Sequence, residues 1–172
     1  MKKIQQGAAY ISVSENYDLV SYNDIEEGLK SKDINEKEKN LRLLITNILN
    51  NESYPEMIMT VINNIMPYQG ENIKIKKMLF LYWEIIEKTK EDGSLKDELI
   101  LVCNNFRNDL ISANEYIAGR ALKLLSKIMM KDIIQPLVST ILDKNLNHTD
   151  NYVRRYAIVC LEKIWETFGD EF

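Results

Sequence analysis

"DNYVRRYAIVCLEKIW" (residues 150–165) sets two adjacent arginines, Arg154 and Arg155, at the mouth of a segment whose apolar residues recur every three or four positions. Val153, Ala157, Cys160, Leu161, Ile164 and Phe168 fall on one helical face, so the segment reads as a core helix. Two earlier stretches begin alike: "ENIKIKKMLFLYWEII" (71–86) and "ANEYIAGRALKLLSKI" (113–128), with "NEKEKNLRLLITNIL" (35–49) as a weaker fourth copy. Each of the first three has an asparagine near its start, then an apolar residue with small or basic neighbours, then an apolar helix. Ile75, Ile117 and Val153 align at a period of about 40 residues, the mark of HEAT or armadillo repeats with two helices per unit. The pattern predicts an all-α fold, an α-solenoid of stacked helical hairpins.

In such repeats, an acid or amide at the loop and a base early in the second helix can tie neighbouring units together. Asp150 with Arg154 or Arg155 suits that role, and an architectural reading of the pair is preferred over a catalytic one.

The remaining segments carry the same period. Residues 75, 78, 79, 82, 85 and 86 form one stripe, and Leu95, Leu99, Val102, Phe106 and Leu110 form another. Helices are expected near 34–49, 56–66, 72–88, 95–110, 115–129, 132–144 and 151–168. Short punctuation separates them: Tyr54-Pro55, Pro67–Glu71 and Asp92-Gly93. Ser94 is placed to cap the helix that follows. Pro136 falls inside the 132–144 pattern, so that helix should kink or start late. Residues 1–22 read as a divergent, partly extended segment, and 23–172 as the solenoid. Trp165, Phe168 and Phe172 are apolar with nothing after them to cover them. A solenoid needs polar caps, so the chain is expected to be the start of a longer trunk.

The chain's 172 residues suffice for one domain with a real core, and 45% apolar and 28% charged residues are ordinary for a globular protein. A net charge of −4 and a pI near 5.2 argue against a nucleic-acid module. Cys103 and Cys160 stand far apart in apolar stretches and read as reduced, buried, cytosolic residues. The single histidine, His148, lacks neighbours at metal-ligand spacing. Phosphate-loop, dinucleotide and nucleophile-elbow patterns are all missing. Nothing calls for a cofactor or an enzyme. Lys74, Lys76 and Lys77 read as the polar side of a helix. Ile100 and Cys103 lie off the main stripe of the 95–110 helix, beside a run of apolar residues. Burial on two sides is the default reading for them, with an apolar edge offered to a partner as the other.

Several words in the chain resemble the N-terminal trunk of the coatomer beta subunit family: Trp-Glu-Ile-Ile (83–86), Asp-Gly-Ser-Leu (92–95), Leu-Val-Cys-Asn (101–104), Asn-Glu-Tyr-Ile (114–117) and Tyr-Val-Arg-Arg (152–155). The resemblance spans about residues 23–172, with one departure: Ala118 stands where the family has an arginine. It implies an adaptin-like trunk and a structural role in the COPI vesicle coat, with no catalysis. It implies other coatomer subunits as partners, the delta subunit especially, and recruitment by an Arf-type small GTPase in its GTP form. It places the protein in the cytoplasm and, through the coat, at Golgi and vesicle membranes. In the related adaptor chains the GTPase docks on early helices, and alignment through 114–117 places those positions on Ile100 and Cys103, with Lys96, Asp97, Asn104 and Arg107 available as a polar rim. The alternative is a generic HEAT-repeat scaffold, such as a transport-receptor fragment.

Overall fold

A computed structural model describes residues 21–169, so Phe172 and nearly all of the 1–22 segment lie outside the described residues. The helices are α1 (Tyr22–Lys30), α2 (Ile34–Leu49), α3 (Met57–Asn64), α4 (Ile73–Ile85), α5 (Cys103–Leu110), α6 (Glu115–Ile128), α7 (Lys131–Ile134), α8 (Val138–Thr140) and α9 (Asn151–Phe168). A 3-10 turn, Asp97–Val102, runs directly into α5. The 132–144 helix is broken as Pro136 requires. A 3-10 turn at Gln135–Leu137 follows α7, and a π-helical turn at Ile141–Asn145 follows α8, because proline supplies no N–H to a continuous ladder.

Contacts sort these elements into two layers. In one, α2, α4, α6 and α9 pack in that order, each against the next. In the other, α1 meets α3, α3 meets the 97–102 turn, and that turn meets α7. This is an all-α solenoid, and the four helices of the first layer are the four copies of the repeated word.

One local rule distinguishes that layer. Each of its helices begins on an Asp or Asn whose side-chain oxygen accepts a first-turn N–H: Asp33 from Asn35, Asn72 from Lys74 and Ile75, Asn114 from Tyr116 and Ile117, Asp150 from Tyr152. Register therefore makes Asp150, not Asn151, the counterpart of Asn72 and Asn114. In the other layer α1 has a serine capping box at Ser21, whereas α3, the 97–102 turn, α5 and α7 start without a side-chain cap. Ser94 caps no helix. Residues 88–96 close into a small hairpin with a Thr89–Leu95 bridge, and Ser94 bonds back to Asp92 Oδ1 around Gly93. The chain enters its next turn only after Lys96.

Most of each sequence stripe is buried: Ile75, Leu79 and Tyr82 on α4 with Ile86 just after it; Leu95, Leu99, Val102, Phe106 and Leu110; and Val153, Ala157, Cys160 and Ile164 on α9. They join a single hydrophobic cluster running from Ile25 to Ile164, against which Met78, Ile85, Leu161 and Phe168, only half-buried, pack. Flank residues Phe80 and Leu122 are buried as well. Their counterpart eight residues past the cap of α9, Ile158, is 58% exposed, and Trp165 is 64% exposed. The tightest seam is α6 against α9, where Tyr152 lies on Gly119 so closely that a Cβ there would sit 2.0 Å from its ring.

Asn114→Ala should cost about 1 kcal/mol, read as a Tm lowered by about 2–4 °C. Asn114→Asp retains the cap and should stay within about 0.5 kcal/mol. Thermal unfolding followed by circular dichroism distinguishes the two.

Candidate functional site

Four residues past each cap lies the position that the sequence marks with a base: Lys37, Lys76, Ala118 and Arg154. Its side chain points back toward the loops and toward the other layer. Lys37 is buried and donates to the Leu29 carbonyl at the end of α1 (2.7 Å), with the Tyr68 ring 5.1 Å away. Burial pulls its pKa below the ordinary lysine value. Arg154 donates to the carbonyls of His148 (2.6 Å) and Thr149 (2.7 Å), inside the loop feeding its own helix. Arg155 is exposed. The Asp150 carboxylate serves as the helix cap, and its backbone N–H donates to His148 Nδ1 (3.0 Å).

A buried ion pair between units lies two copies before Arg154, at Lys76, and was not legible in the spacing. Lys76, assigned by the sequence to the polar side of α4, is only 5% exposed. Its ammonium meets both oxygens of Asp109 on α5 (2.5 and 2.6 Å), Gln69 Oε1 (2.7 Å) and the face of Phe80 (5.0 Å). Gln69 continues the network to Asn105 (3.0 Å). The pair therefore joins the end of one hairpin to the start of the next. Desolvation dominates at Asp109 and raises its carboxyl above the ordinary value, with Lys76 opposing that shift.

Ala118, where a base is missing, is fully buried. The carbonyl such a base would reach is Leu110, the counterpart of Leu29 four residues before the cap. Asn145, arriving from the following unit, donates to it at 2.7 Å. Arg120 does not take over the role. Its guanidinium lies 6.0 Å from the Phe80 ring, and its Nε has no hydrogen-bond partner among the described residues.

The second feature is the 97–102 turn. In a 3-10 turn, residues three apart eclipse one another. Leu99 and Val102 point inward and are buried, which leaves Ile100 and Leu101 facing solvent at 57% and 55% exposure. The expected burial of Ile100 on two sides is thus corrected: a wider α-helical turn would have shared its apolar run between two faces, whereas the tight one turns it out. Cys103 is part-buried, and its Sγ lies 3.9 Å from the Leu99 carbonyl. Burial pushes this thiol up, and pushes Cys160 to about 12, so neither is a thiolate at neutral pH. Around the turn, Asp97 pairs with Lys90 (2.9 Å), and Arg107 donates to the Pro136 carbonyl (3.0 Å). Asn104 is exposed. Lys96 turns the other way, into a cleft with Tyr54, Ile58 and Ile86, and pairs with Glu87 (3.6 Å). Met59 on α3, Ile111 just after α5 and Leu142 in the π-helical turn are also exposed.

Among the described residues no group of His, Cys, Asp and Glu could hold a metal ion, and no helix is long and apolar enough to cross a membrane.

The stacked, Asx-capped helices form the trunk of a helical solenoid, and residues 18–171 match the family described as adaptin N terminal region. The chain belongs to that family. More particularly, it is similar to curated proteins named coatomer subunit beta. It is 41% identical over 156 residues to the one from Toxoplasma gondii, covering 91% of this chain and 14% of that protein. It is 37% identical over 155 residues to the one from Drosophila melanogaster (90% and 16%). Over 146 residues it is 39% identical to the one from Sus scrofa (85% and 15%). The chain thus spans only 14–16% of the length of these relatives.

Removing one partner of the buried pair, by Lys76→Ala or Asp109→Ala, should cost about 3–5 kcal/mol, and Lys76→Met with Asp109→Leu should recover most of it. Urea unfolding checks both. Asp109 has a raised folded-state pKa, so the stability linked to its proton is fully present below about pH 4 and lost as pH rises through the raised value. Relative to Asp109→Asn, the wild-type chain should therefore lose stability across that interval.

Proposed function

We propose that this chain is a trunk segment of a coatomer beta-type subunit, a structural component of a COPI vesicle coat that works by binding and not by catalysis. In this reading it acts in Golgi-to-ER and intra-Golgi transport, from the cytoplasm and at the surface of Golgi membranes. It assembles with other coatomer subunits, the delta subunit among them, and meets a GTP-loaded Arf-type GTPase. The similarity to proteins named coatomer subunit beta over about nine-tenths of the chain supports the coat role. The exposed flank of α9, with Ile158 where other units bury Leu41, Phe80 and Leu122, and with Trp165 also exposed, supports continuation of the solenoid by a further helical unit.

For the GTPase, the supporting observation is the exposed pair Ile100 and Leu101 on a turn that Leu99 and Val102 anchor in the core. A rigid apolar turn beside polar residues suits a partner that presents an apolar surface only in one nucleotide state. Its apolar centre would be Ile100 and Leu101, with Cys103 at the base. Asp97, Asn104 and Arg107 would form the rim, while Lys96, turned into its cleft, would not. The candidate inter-repeat residues Asp150, Arg154 and Arg155 have a structural part in this reading: Asp150 and Arg154 fix the loop before α9, and Arg155 stands on its surface.

The test is a titration of the chain against an Arf-type GTPase loaded with a non-hydrolysable GTP analogue or with GDP. Binding only to the GTP form, weakened at least about tenfold by Ile100→Asp with helical content unchanged, is the expected outcome. No binding by the folded chain in either nucleotide state would remove this surface as sufficient and favour a generic HEAT-repeat scaffold.

A further inference from the structure

The outward face of the α2–α4–α6–α9 layer has a composition at odds with the chain as a whole. Positions two, six, nine and thirteen residues past each cap form the solvent-side stripe of each helix. On α6 these are Tyr116, Arg120, Lys123 and Lys127; on α9 they are Tyr152, Tyr156, Val159 and Lys163. On α2 the stripe carries Lys39 and Arg42 between Asn35 and Thr46, and on α4 it carries Lys74 and then Met78, Leu81 and Ile85. None of these positions holds a carboxylate, although the protein carries a net charge of −4. The acids of this layer stand beside the stripes, with Glu36, Glu115 and Glu162 exposed there, and those in ion pairs neutralise only some of the bases. Glu38 pairs with Arg42 and Lys74, Glu84 with Lys127, and Glu166 with Lys163. Lys39 and Lys123 have no ion pair among the described residues, whereas Arg120 is half-buried with its Nε shielded from solvent. The tyrosines are pre-arranged: Lys77 lies 5.4 Å over the Tyr116 ring, Tyr152 is held on Gly119, and Tyr156 meets Tyr152 edge-on at 4.9 Å.

We infer that this face, centred on Tyr116, Lys123 and Tyr152 and extending to Lys39, is a docking surface for an acidic, partly apolar polypeptide segment of a partner protein. Charge complementarity selects the sign, and the interleaved tyrosines and aliphatic residues provide the contact area that an ionic patch alone lacks. The chain's overall negative charge selects the size. A segment no larger than the patch meets mainly its bases and tyrosines and is shielded from the acids of the opposite layer, because fields are screened within about 8 Å at physiological salt. An extended polyanion or an anionic bilayer would also face the acidic remainder. The inference stands on a different face from the 97–103 turn and does not depend on the coat reading.

The probe is a fluorescein-labelled synthetic peptide alternating Glu and Asp with Leu and Tyr, titrated into the full 172-residue chain. Saturable binding should weaken as salt is raised and be absent for the same peptide with Lys replacing its acids. Lys123→Glu and Lys39→Glu should each raise Kd at least about fivefold, while Lys144→Glu, in the π-helical turn of the other layer, should leave it unchanged. Tyr116→Ala, which alters no charge on this chain, should also weaken binding, and circular dichroism confirms that each variant is folded. Failure of the peptide to bind, or wild-type affinity in Lys123→Glu, overturns the inference. Capture of phosphatidylserine vesicles or single-stranded RNA through these residues without peptide binding overturns it equally.

Discussion

A two-helix unit of this chain cannot cover its own apolar surface. The helices α4 and α6 are buried on the side facing the other layer and again along the flank facing the next unit, where Phe80 and Leu122 sit. On α9 the same flank is open at Ile158. At about 25 cal/mol per Å2 of apolar area removed from water, burying such flanks drives the stacking, and the rest of the architecture accommodates it. The close approach of α6 and α9 demands a glycine at 119, and the short loops need caps that fix where each helix starts.

Several of the polar groups that enter this core satisfy a helix end. Lys37 meets the orphan carbonyl at the end of α1, Asn145 meets the equivalent one at the end of α5, and Arg154 meets two in the loop before α9. Lys76 goes further and pairs with a carboxylate on the next hairpin. These are one device in different forms: a donor from the first turn of one layer, or its substitute, satisfies acceptors that burial would otherwise leave unpaired. The loss of a base at Ala118 is tolerated because Asn145 reaches the same kind of carbonyl from the opposite side.

The same arrangement separates the surfaces. Bases and tyrosines collect on the outer side of the capped layer, whereas the opposite layer presents the apolar turn at Ile100 and Leu101 among residues such as Asp97, Asn104 and Asp143. A scaffold with two chemically distinct faces can engage two partners at once without either displacing the other.

Most helix positions, the repeat period and the core stripes were legible in the amino-acid order, because 3.6-residue periodicity and Asx caps are local properties. The break at Pro136 was legible for the same reason. By contrast, α1 was not read as a helix, and 95–102 does not form the α-helix expected there. The fate of individual polar and off-stripe residues was not. Lys76 looks like a surface lysine beside Lys74 and Lys77, and only the arrival of Asp109 from the following hairpin makes it part of a buried ion pair between units. Ser94 looks like a helix cap, yet hairpin bonding across 88–96 draws it into a turn. Ile100 looks buried until the chain tightens into a 3-10 turn that eclipses Leu99 with Val102 and leaves it outside. The sequence by itself determined which segments are helices and which face of each is apolar. Tertiary structure decided which charges are buried and which apolar residues remain exposed, because both depend on partners tens of residues away whose approach no local period encodes.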